Sequence, residues 1–154
     1  MERKKAQAWG FDLVVGMIIF IVGILSFYLY TTNLPGASEE TIQQLQQDGE
    51  LVADSLMSGG SPEDWTISTV VRIGLLSDGR INQTKFDDFE LLANSNYDYT
   101  RSLFRVRNDY FVYLDSDVAS GIGLNSDGAT NLVKITRAVV YNQSVTTLNV
   151  HAWN

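Results

Sequence analysis

Hydrophobic and polar residues are distributed very unevenly along this chain. From Leu13 to Tyr30, 18 consecutive residues carry no charge, and nearly all of them are apolar. A helix rises 1.5 Å per residue, so this stretch would be about 27 Å long, close to the roughly 30 Å core of a bilayer. The apolar region of a cleaved secretory signal is usually shorter, and no small-x-small cleavage pattern follows. The pattern predicts one membrane-spanning helix.

A second, amphipathic helix is predicted after a break. Pro35 and Gly36 interrupt or kink the first helix, and Ser38 is suited to cap the next one. Gly49 interrupts the helical pattern that follows, and the glycines at 59 and 60 favour a stop. The apolar residues that recur at helical spacing are Ile42, Leu45, Val52 and Leu56.

The remaining residues indicate a mixed α+β domain. Short helices are predicted from Asn82 or Thr84 to Leu92 and from Tyr97 to Phe104, and Asp115 to Thr130 is expected to be a loop. Runs rich in β-branched and aromatic residues predict four strands, at Thr66–Leu75, Arg105–Leu114, Asn131–Tyr141 and Thr146–Trp153.

The fold class that follows is α+β, with a long hydrophobic helix continued by an amphipathic helix. The amphipathic helix would pack on a small antiparallel β-sheet. No strand–helix–strand alternation is present, which argues against a parallel sheet.

Charge predicts the orientation of the chain. Arg3, Lys4 and Lys5 precede the apolar stretch, and the next basic residue is Arg72. Positive residues stay on the cytoplasmic side of a membrane, so we expect the N-terminus inside and the rest outside. Residues 1–30 have a net charge of +1 and residues 31–154 of −8, which together give the −7 of the chain. An acidic outer domain disfavours nucleic acid and anionic lipid as partners.

Reactive constellations are sparse, and we expect neither an enzyme nor a cofactor. Cysteine is absent, which excludes disulfides and thiolate chemistry. The single histidine, His151, is expected to be an exposed strand residue rather than a metal ligand. No nucleophile elbow, phosphate loop or dinucleotide fingerprint is present. Oxygen-bearing side chains cluster at Asp115, Asp117, Asn125 and Asp127, but their order does not match a calcium loop, and an ordinary Asx/Gly loop is favoured.

Two sequons, Asn82-Gln83-Thr84 and Asn142-Gln143-Ser144, fall in predicted turns of the outer domain. Asn82 and Asn142 are therefore candidate N-glycosylation sites, since acceptor asparagines lie in surface loops of exported proteins.

Three residues of the apolar helix do not suit a plain anchor. Asp12 lies inside the hydrophobic boundary, where a carboxylate costs a few kcal/mol unless it is hydrated or finds a partner. Gly16 and Gly23 are seven residues apart, on one helical face. Small residues in a line let another helix approach closely, although glycine is also common in membrane helices generally.

The N-terminal segment of the chain resembles the class III signal peptide of archaeal pilins and archaellins. The resemblance rests on Lys4-Lys5-Ala6-Gln7 directly before the apolar stretch and extends to about residue 58. It implies cleavage by a prepilin-type peptidase between Ala6 and Gln7, which would make Asp12 the sixth mature residue. Many type IV pilins have a Glu at the fifth mature position, which pairs with a neighbour's N-terminal amine, so this chain departs by one position and one methylene. Cleavage between Gly10 and Phe11 would resemble the bacterial pattern and place Asp12 second.

The resemblance implies a domain organisation and a structural function. Residues 1-6 would be a cleavable cytoplasmic leader, 7-34 a transmembrane and filament-core helix, 35-60 an amphipathic helix and 61-154 an extracellular head. The chain would be inserted in the membrane as a precursor and then assemble through residues 7-34 into a type IV pilus-like surface filament. Two alternatives stay open: a permanently anchored extracellular adhesion or receptor domain, and a minor pseudopilin that forms no long filament.

Overall fold

We describe the protein from a computed structural model that covers residues 3–32 and 39–154, with side chains from residue 10 onward. The chain divides near residue 36 into two compact units, which are described separately. We call residues 39–154 the head unit. The predicted break at Pro35 and Gly36 and the predicted cap Ser38 lie outside the described residues.

The first unit is a long apolar helix, α1 (Arg3–Thr32), as predicted. No proline interrupts it. At its C-terminal end the Thr31 hydroxyl donates to the carbonyl oxygens of Phe27 and Tyr28, at 3.1 and 2.9 Å. The Thr32 hydroxyl donates to the Tyr28 carbonyl at 2.9 Å. These are back-bonds to carbonyl groups of the preceding turn, and they give both threonine hydroxyls a partner at the end of an apolar helix.

The head unit begins with the predicted amphipathic helix, α2 (Glu39–Leu56). Glu39 and Glu40 lie in its first turn, where negative charges interact favourably with the positive end of the helix dipole. One face of α2 is buried, and it consists of Leu45, Gly49, Val52, Ala53 and Leu56.

Gly49 belongs to the buried face of α2 rather than interrupting the helix. A Cβ at this position would lie 2.9 Å from Ile135 Cγ1 and 3.5 Å from Ala152 Cβ. Glycine therefore lets the helix lie close against the sheet, which offsets its unfavourable helix propensity.

A four-stranded antiparallel sheet packs against α2. Its strands are β3 (Asp109–Leu114), β4 (Ile122–Gly123), β5 (Leu132–Tyr141) and β6 (Ser144–Trp153). The spatial order is β4-β3-β6-β5, so the strand that comes last in the chain is internal. Asn142 and Gln143, both with positive φ, form the two-residue turn between β5 and β6.

A small hairpin and two helices complete the head unit. The hairpin strands are β1 (Leu76–Ser77) and β2 (Arg80–Ile81). The predicted helices are confirmed as α3 (Gln83–Ser95) and α4 (Tyr97–Phe104). Asn82 caps α3 as expected, since its side-chain oxygen accepts from the backbone N–H groups of residues 84 and 85.

The predicted strand at Thr66–Leu75 is wrong. This segment is a series of turns, and its one β-bridge pairs Arg72 with Ser61. Three of its apolar residues, Val70, Ile73 and Leu75, are nevertheless buried, whereas Ile67 and Val71 are exposed. The backbone N–H of Leu75 donates to the Leu56 carbonyl at the end of α2, rather than to a strand. Burial, and not sheet pairing, accounts for the β-branched residues Val70 and Ile73.

The fourth strand instead comes from the segment expected to be a loop. β4 contributes only two residues, which pair with Val112 and Phe111 of β3. A strand this short leaves no periodic pattern in the sequence. The strand predicted from Arg105 begins later, at Asp109, because Arg105 has φ 61° and ends α4.

Asp48 fixes the entry to β3. One of its carboxylate oxygens accepts from the backbone N–H groups of Arg107 (3.1 Å) and Asn108 (3.0 Å). The same oxygen accepts from the Asn108 side-chain amide at 2.9 Å. Hydrogen bonds to a charged group are stronger than neutral ones, so Asp48 holds α2 to a turn nearly 60 residues away in sequence.

The core lies between the sheet and helices α2, α3 and α4. Tyr110 is at its centre, 1% exposed, and its ring contacts Phe89, Phe104 and Tyr97. Its hydroxyl pairs with the Thr100 hydroxyl at 2.5 Å. Aromatic pairs of this kind add to the burial of apolar area.

Candidate functional site

The candidate functional site is the surface of α1 between Gly10 and Thr32. This segment has a mean hydropathy of 2.5 and none of it is buried in the structure. Its 23 residues correspond to about 35 Å of helix, enough to cross a roughly 30 Å bilayer core. The large apolar side chains are exposed on every side of the helix, the least exposed being Val15 at 37%. By length and composition, α1 is compatible with a membrane anchor.

A stripe of small and polar residues runs along this apolar helix. At 100° per residue, Asp12, Gly16 and Gly23 lie within about 40° of one another around the axis, and Gly16 and Gly23 are about 10.5 Å apart along it. A Cβ added at either glycine would meet no atom within 4 Å. No close contact among the described residues therefore requires glycine at these two positions, unlike at Gly49.

Asp12 lies on the same stripe and is exposed. No ion pair or hydrogen bond of its carboxylate is found among the side chains that the structure describes. A carboxylate surrounded by apolar side chains is stable in a low-dielectric medium only if a cation or a donor accompanies it. The Asp12 carboxylate is thus able to bind a cation or a hydrogen-bond donor of a second helix that packs against the stripe.

The predicted processing site, Ala6 and Gln7, lies within the backbone of α1. The side chains of these two residues fall outside the described part of the chain. The cleavage position remains a prediction.

The two sequons are in different environments. Asn82 is half-buried, and while its oxygen caps α3, its amide nitrogen donates to the Ser77 hydroxyl at 3.2 Å. Asn142 is exposed at the tip of the β5–β6 turn. An acceptor nitrogen must be free to be glycosylated, so the folded head unit presents Asn142 and engages Asn82.

His151 is partly buried rather than exposed, which corrects the sequence-based expectation. The segment after β4 covers it, and Ser126 Oγ lies 3.0 Å from Nδ1. The Tyr113 hydroxyl lies 3.1 Å from Nε2. Burial, together with the nearby Lys134 ammonium, holds the pKa of His151 below its usual value. Because both ring nitrogens are occupied by hydroxyl groups, the imidazole connects β3, β6 and the 122–128 segment.

The segment predicted to be a loop, Asp115 to Thr130, contains an ordinary Asx turn in its second half. The Asp127 backbone N–H donates to the Asn125 side-chain oxygen at 3.2 Å, and the Asn125 amide donates to Asp127 at 2.8 Å. Within residues 10–32 and 39–154, no group of three or more His, Asp or Glu residues is arranged to hold a metal ion.

One exposed feature was missed by sequence reasoning. Arg72 and Arg105 line a groove between α2 and the end of α4. They are 33 residues apart in sequence, in a turn segment and at a helix end, so neither periodicity nor motif spacing relates them. Only the fold brings them together.

No family model, curated protein or solved structure matches this chain.

Proposed function

We propose that this chain is a pilin-like structural subunit of an archaeal type IV pilus-like surface filament. In this proposal α1 holds the precursor in the membrane, a prepilin-type peptidase removes residues 1-6, and residues 7-34 of many copies pack together in the filament core. The head units form the acidic exterior. The role is structural rather than catalytic.

The observation that supports this proposal most strongly is the surface of α1. A helix that is apolar on all sides needs an apolar environment on all sides, which lipid supplies before assembly and neighbouring helices supply afterwards. A plain anchor has no need of the Asp12–Gly16–Gly23 stripe. In a helix bundle, glycines allow close approach, and a carboxylate can pair with a neighbour's cation.

The head unit supports the proposal in a second way. It has its own core, formed around α2 and the four-stranded sheet. A head that folds by itself can keep one structure both in the precursor and in an assembly. The resemblance of Lys4-Lys5-Ala6-Gln7 to a class III signal peptide adds the processing step.

Intact-mass and N-terminal peptide analysis tests the proposal on protein from the native membrane and surface fractions. A mature N-terminus at Gln7, with the protein present in surface filaments seen by electron microscopy, is the expected result. A start at Met1 or Glu2 in both fractions contradicts the pilin-like assignment and leaves a permanently anchored outer domain. A start at Gln7 without filaments indicates a minor pseudopilin.

A further inference from the structure

The head unit contains a groove whose chemistry differs from that of the acidic surface around it. The groove is about 660 Å³ in volume and lies between α2, the turn segment around residues 60–72 and the end of α4. Its apolar lining includes Leu51 and Val71, which are 43% and 69% exposed, and Phe104 forms part of its floor. Arg72 and Arg105 add two cations. We call this the arginine groove.

The two arginines of the groove are not used within the head unit. Among the described residues, ion pairs engage Arg101 with Asp98 and Asp109, and Arg137 with Asp54. Asp54 also lines the groove, but its carboxylate lies 3.4 Å from Arg137. The side chains of Arg72 and Arg105 form no ion pair or hydrogen bond within 39–154. Two unpaired cations beside exposed apolar side chains suit an acidic, amphipathic surface.

The outer face of α3 has the complementary composition. Asp87, Glu90 and Leu91 are exposed, and helical spacing puts them on one face. Leu91 is 59% exposed, which is high for a large apolar side chain on a short helix. Asp87 and Glu90 both lie on one side of Leu91 around the helix, so this face presents two carboxylates beside an apolar side chain, as the groove presents two arginines beside exposed apolar side chains.

We propose that the arginine groove of one copy of this chain receives the outer face of α3 of a second copy. Arg72 and Arg105 would pair with Asp87 and Glu90, and Leu91 would pack against Leu51 and Val71. This inference rests on the self-assembly proposed above and names the contact between head units.

The charge of the head units explains why such a contact is needed. Residues 31–154 have a net charge of −8, so heads placed side by side repel one another. A pairing of arginines with carboxylates reduces that repulsion at the contact and fixes its register. In the proposed arrangement the groove and the α3 face of one copy engage two different neighbours, so the contact is heterologous and repeats from copy to copy along an open chain of heads.

The absence of cysteine permits a direct test by cross-linking. The doubly substituted full chain, Val71→Cys with Leu91→Cys, is oxidised in its native membrane and surface fractions and separated without reductant. We expect a ladder of disulfide-linked multimers. Each single substitution should give none, and Val71→Cys paired with Val145→Cys, an exposed hairpin position, is the matched control. Dimers formed by Val71→Cys alone, or the absence of a ladder from the double variant, would overturn the proposed contact.

Charge reversal adds a test that does not depend on cysteine geometry alone. In the cross-linking background, Arg72→Glu with Arg105→Glu should remove the ladder, and Asp87→Lys with Glu90→Lys should do the same. Combining all four reversals restores opposite charges, so the ladder should return. A ladder that persists after either reversal means that these charges do not form the contact. Monomeric near-UV circular dichroism in detergent, unchanged in each variant, verifies that the head remains folded.

The two proposals fail separately. Filaments that start at Gln7 but give no 71–91 cross-link would refute the head contact and leave the pilin-like function intact. An unprocessed N-terminus without filaments would refute the function, whereas the cross-link reports on the contact in either case.

Discussion

At the residue scale, Tyr110 in the core and Tyr97 packed against it make the head unit sensitive to alkaline pH. Burial raises the pKa of both Tyr97 and Tyr110 above the ordinary value of 10.0. Below that value the phenols are protonated in both the folded and the unfolded chain, and their contribution to stability is complete. Above it the unfolded chain releases these protons while the folded chain retains them, so stability falls as pH rises.

The Tyr110→Phe variant tests this effect. The fully buried Tyr110 should contribute a loss of about 1.4 kcal/mol of stability per pH unit above its ordinary pKa, so the variant should show a shallower alkaline decline. Below that pH the variant should be less stable by about 1 kcal/mol, because the hydroxyl pair with Thr100 is lost. Denaturant unfolding of the full chain in detergent measures both.

Asp12 is the residue whose role distinguishes assembly from anchoring. Asp12→Ala removes the one charge from the apolar segment Gly10–Thr32. We expect membrane insertion to be retained, since the segment becomes more apolar. Under the proposed function we expect surface filaments to be lost, since a neighbour's cation has no carboxylate left to pair with. Fractionation and electron microscopy measure the two outcomes. Asp127→Ala, in a head loop, is the control, and filaments of normal number in Asp12→Ala would count against a role for Asp12 in assembly.

The two sequon asparagines should respond differently to substitution. Asn142→Gln is expected to remove glycan mass and to lower stability by no more than about 1 kcal/mol, because Asn142 is exposed but has a positive φ that asparagine adopts more readily than glutamine. Asn82→Gln is expected to leave the mass unchanged and to lower stability by about 1 kcal/mol, because it removes the α3 cap. Intact mass and thermal unfolding decide between these results. A loss of mass in Asn82→Gln alone would show that the order is reversed.

At the element scale, glycines on two helices provide a matched pair of tests. Gly49→Leu introduces a side chain where a Cβ alone would lie 2.9 Å from Ile135, so we expect α2 to be displaced at a cost of about 1–3 kcal/mol. Gly16→Leu enters open space, so the stability of the head unit should not change. Under the proposed function, Gly16→Leu should instead prevent helices from approaching and reduce filament formation. Equal stability of both variants would contradict the close packing of α2.

The same elements show how far the sequence could be interpreted. Helices α1 to α4 follow from apolar spacing and capping residues such as Asn82, which act locally. The β5–β6 pair follows from alternation on each side of a short turn. The strand prediction for segment 66–75 was wrong because β-branched residues also occur in a partly buried turn region. Strand β4 was missed because two residues form no periodic pattern. Gly49 was interpreted as an interruption since its partner, Ile135, is distant in sequence.

Candidate functional residues are likewise of two kinds, those that the sequence reveals and those that only the fold brings together. The apolar character of α1 and the spacing of Asp12, Gly16 and Gly23 are properties of one continuous segment, so the sequence contains them. Arg72 and Arg105 come together only after α2, α4 and the turn segment have packed. A feature formed by tertiary contacts between distant residues has no local signal.

At the scale of the whole molecule, the two units should lose structure under different conditions. Heating the full chain in detergent should abolish the near-UV signal of the head core in one transition, whereas α1 should keep its far-UV helical signal, because its backbone hydrogen bonds are local and its surroundings are apolar. Phe89→Ala, which removes a fully buried ring, should lower the midpoint of the head transition and leave the residual helical signal unchanged. A single transition that removes all helical signal would mean that the units unfold together.

The position of β6 in the sheet has a consequence for biosynthesis. β6 is made after all other strands, yet it lies between β3 and β5 and pairs with both. While the chain is still being translated, β3 and β5 have no strand to join them, and the sheet cannot close until residue 153 has left the ribosome. The head therefore folds late, in one step that depends on contacts distant in sequence. Under the proposed function, such an order of events would keep the four-stranded sheet unformed while the nascent polypeptide crosses the membrane, so that the sheet closes on the outer side.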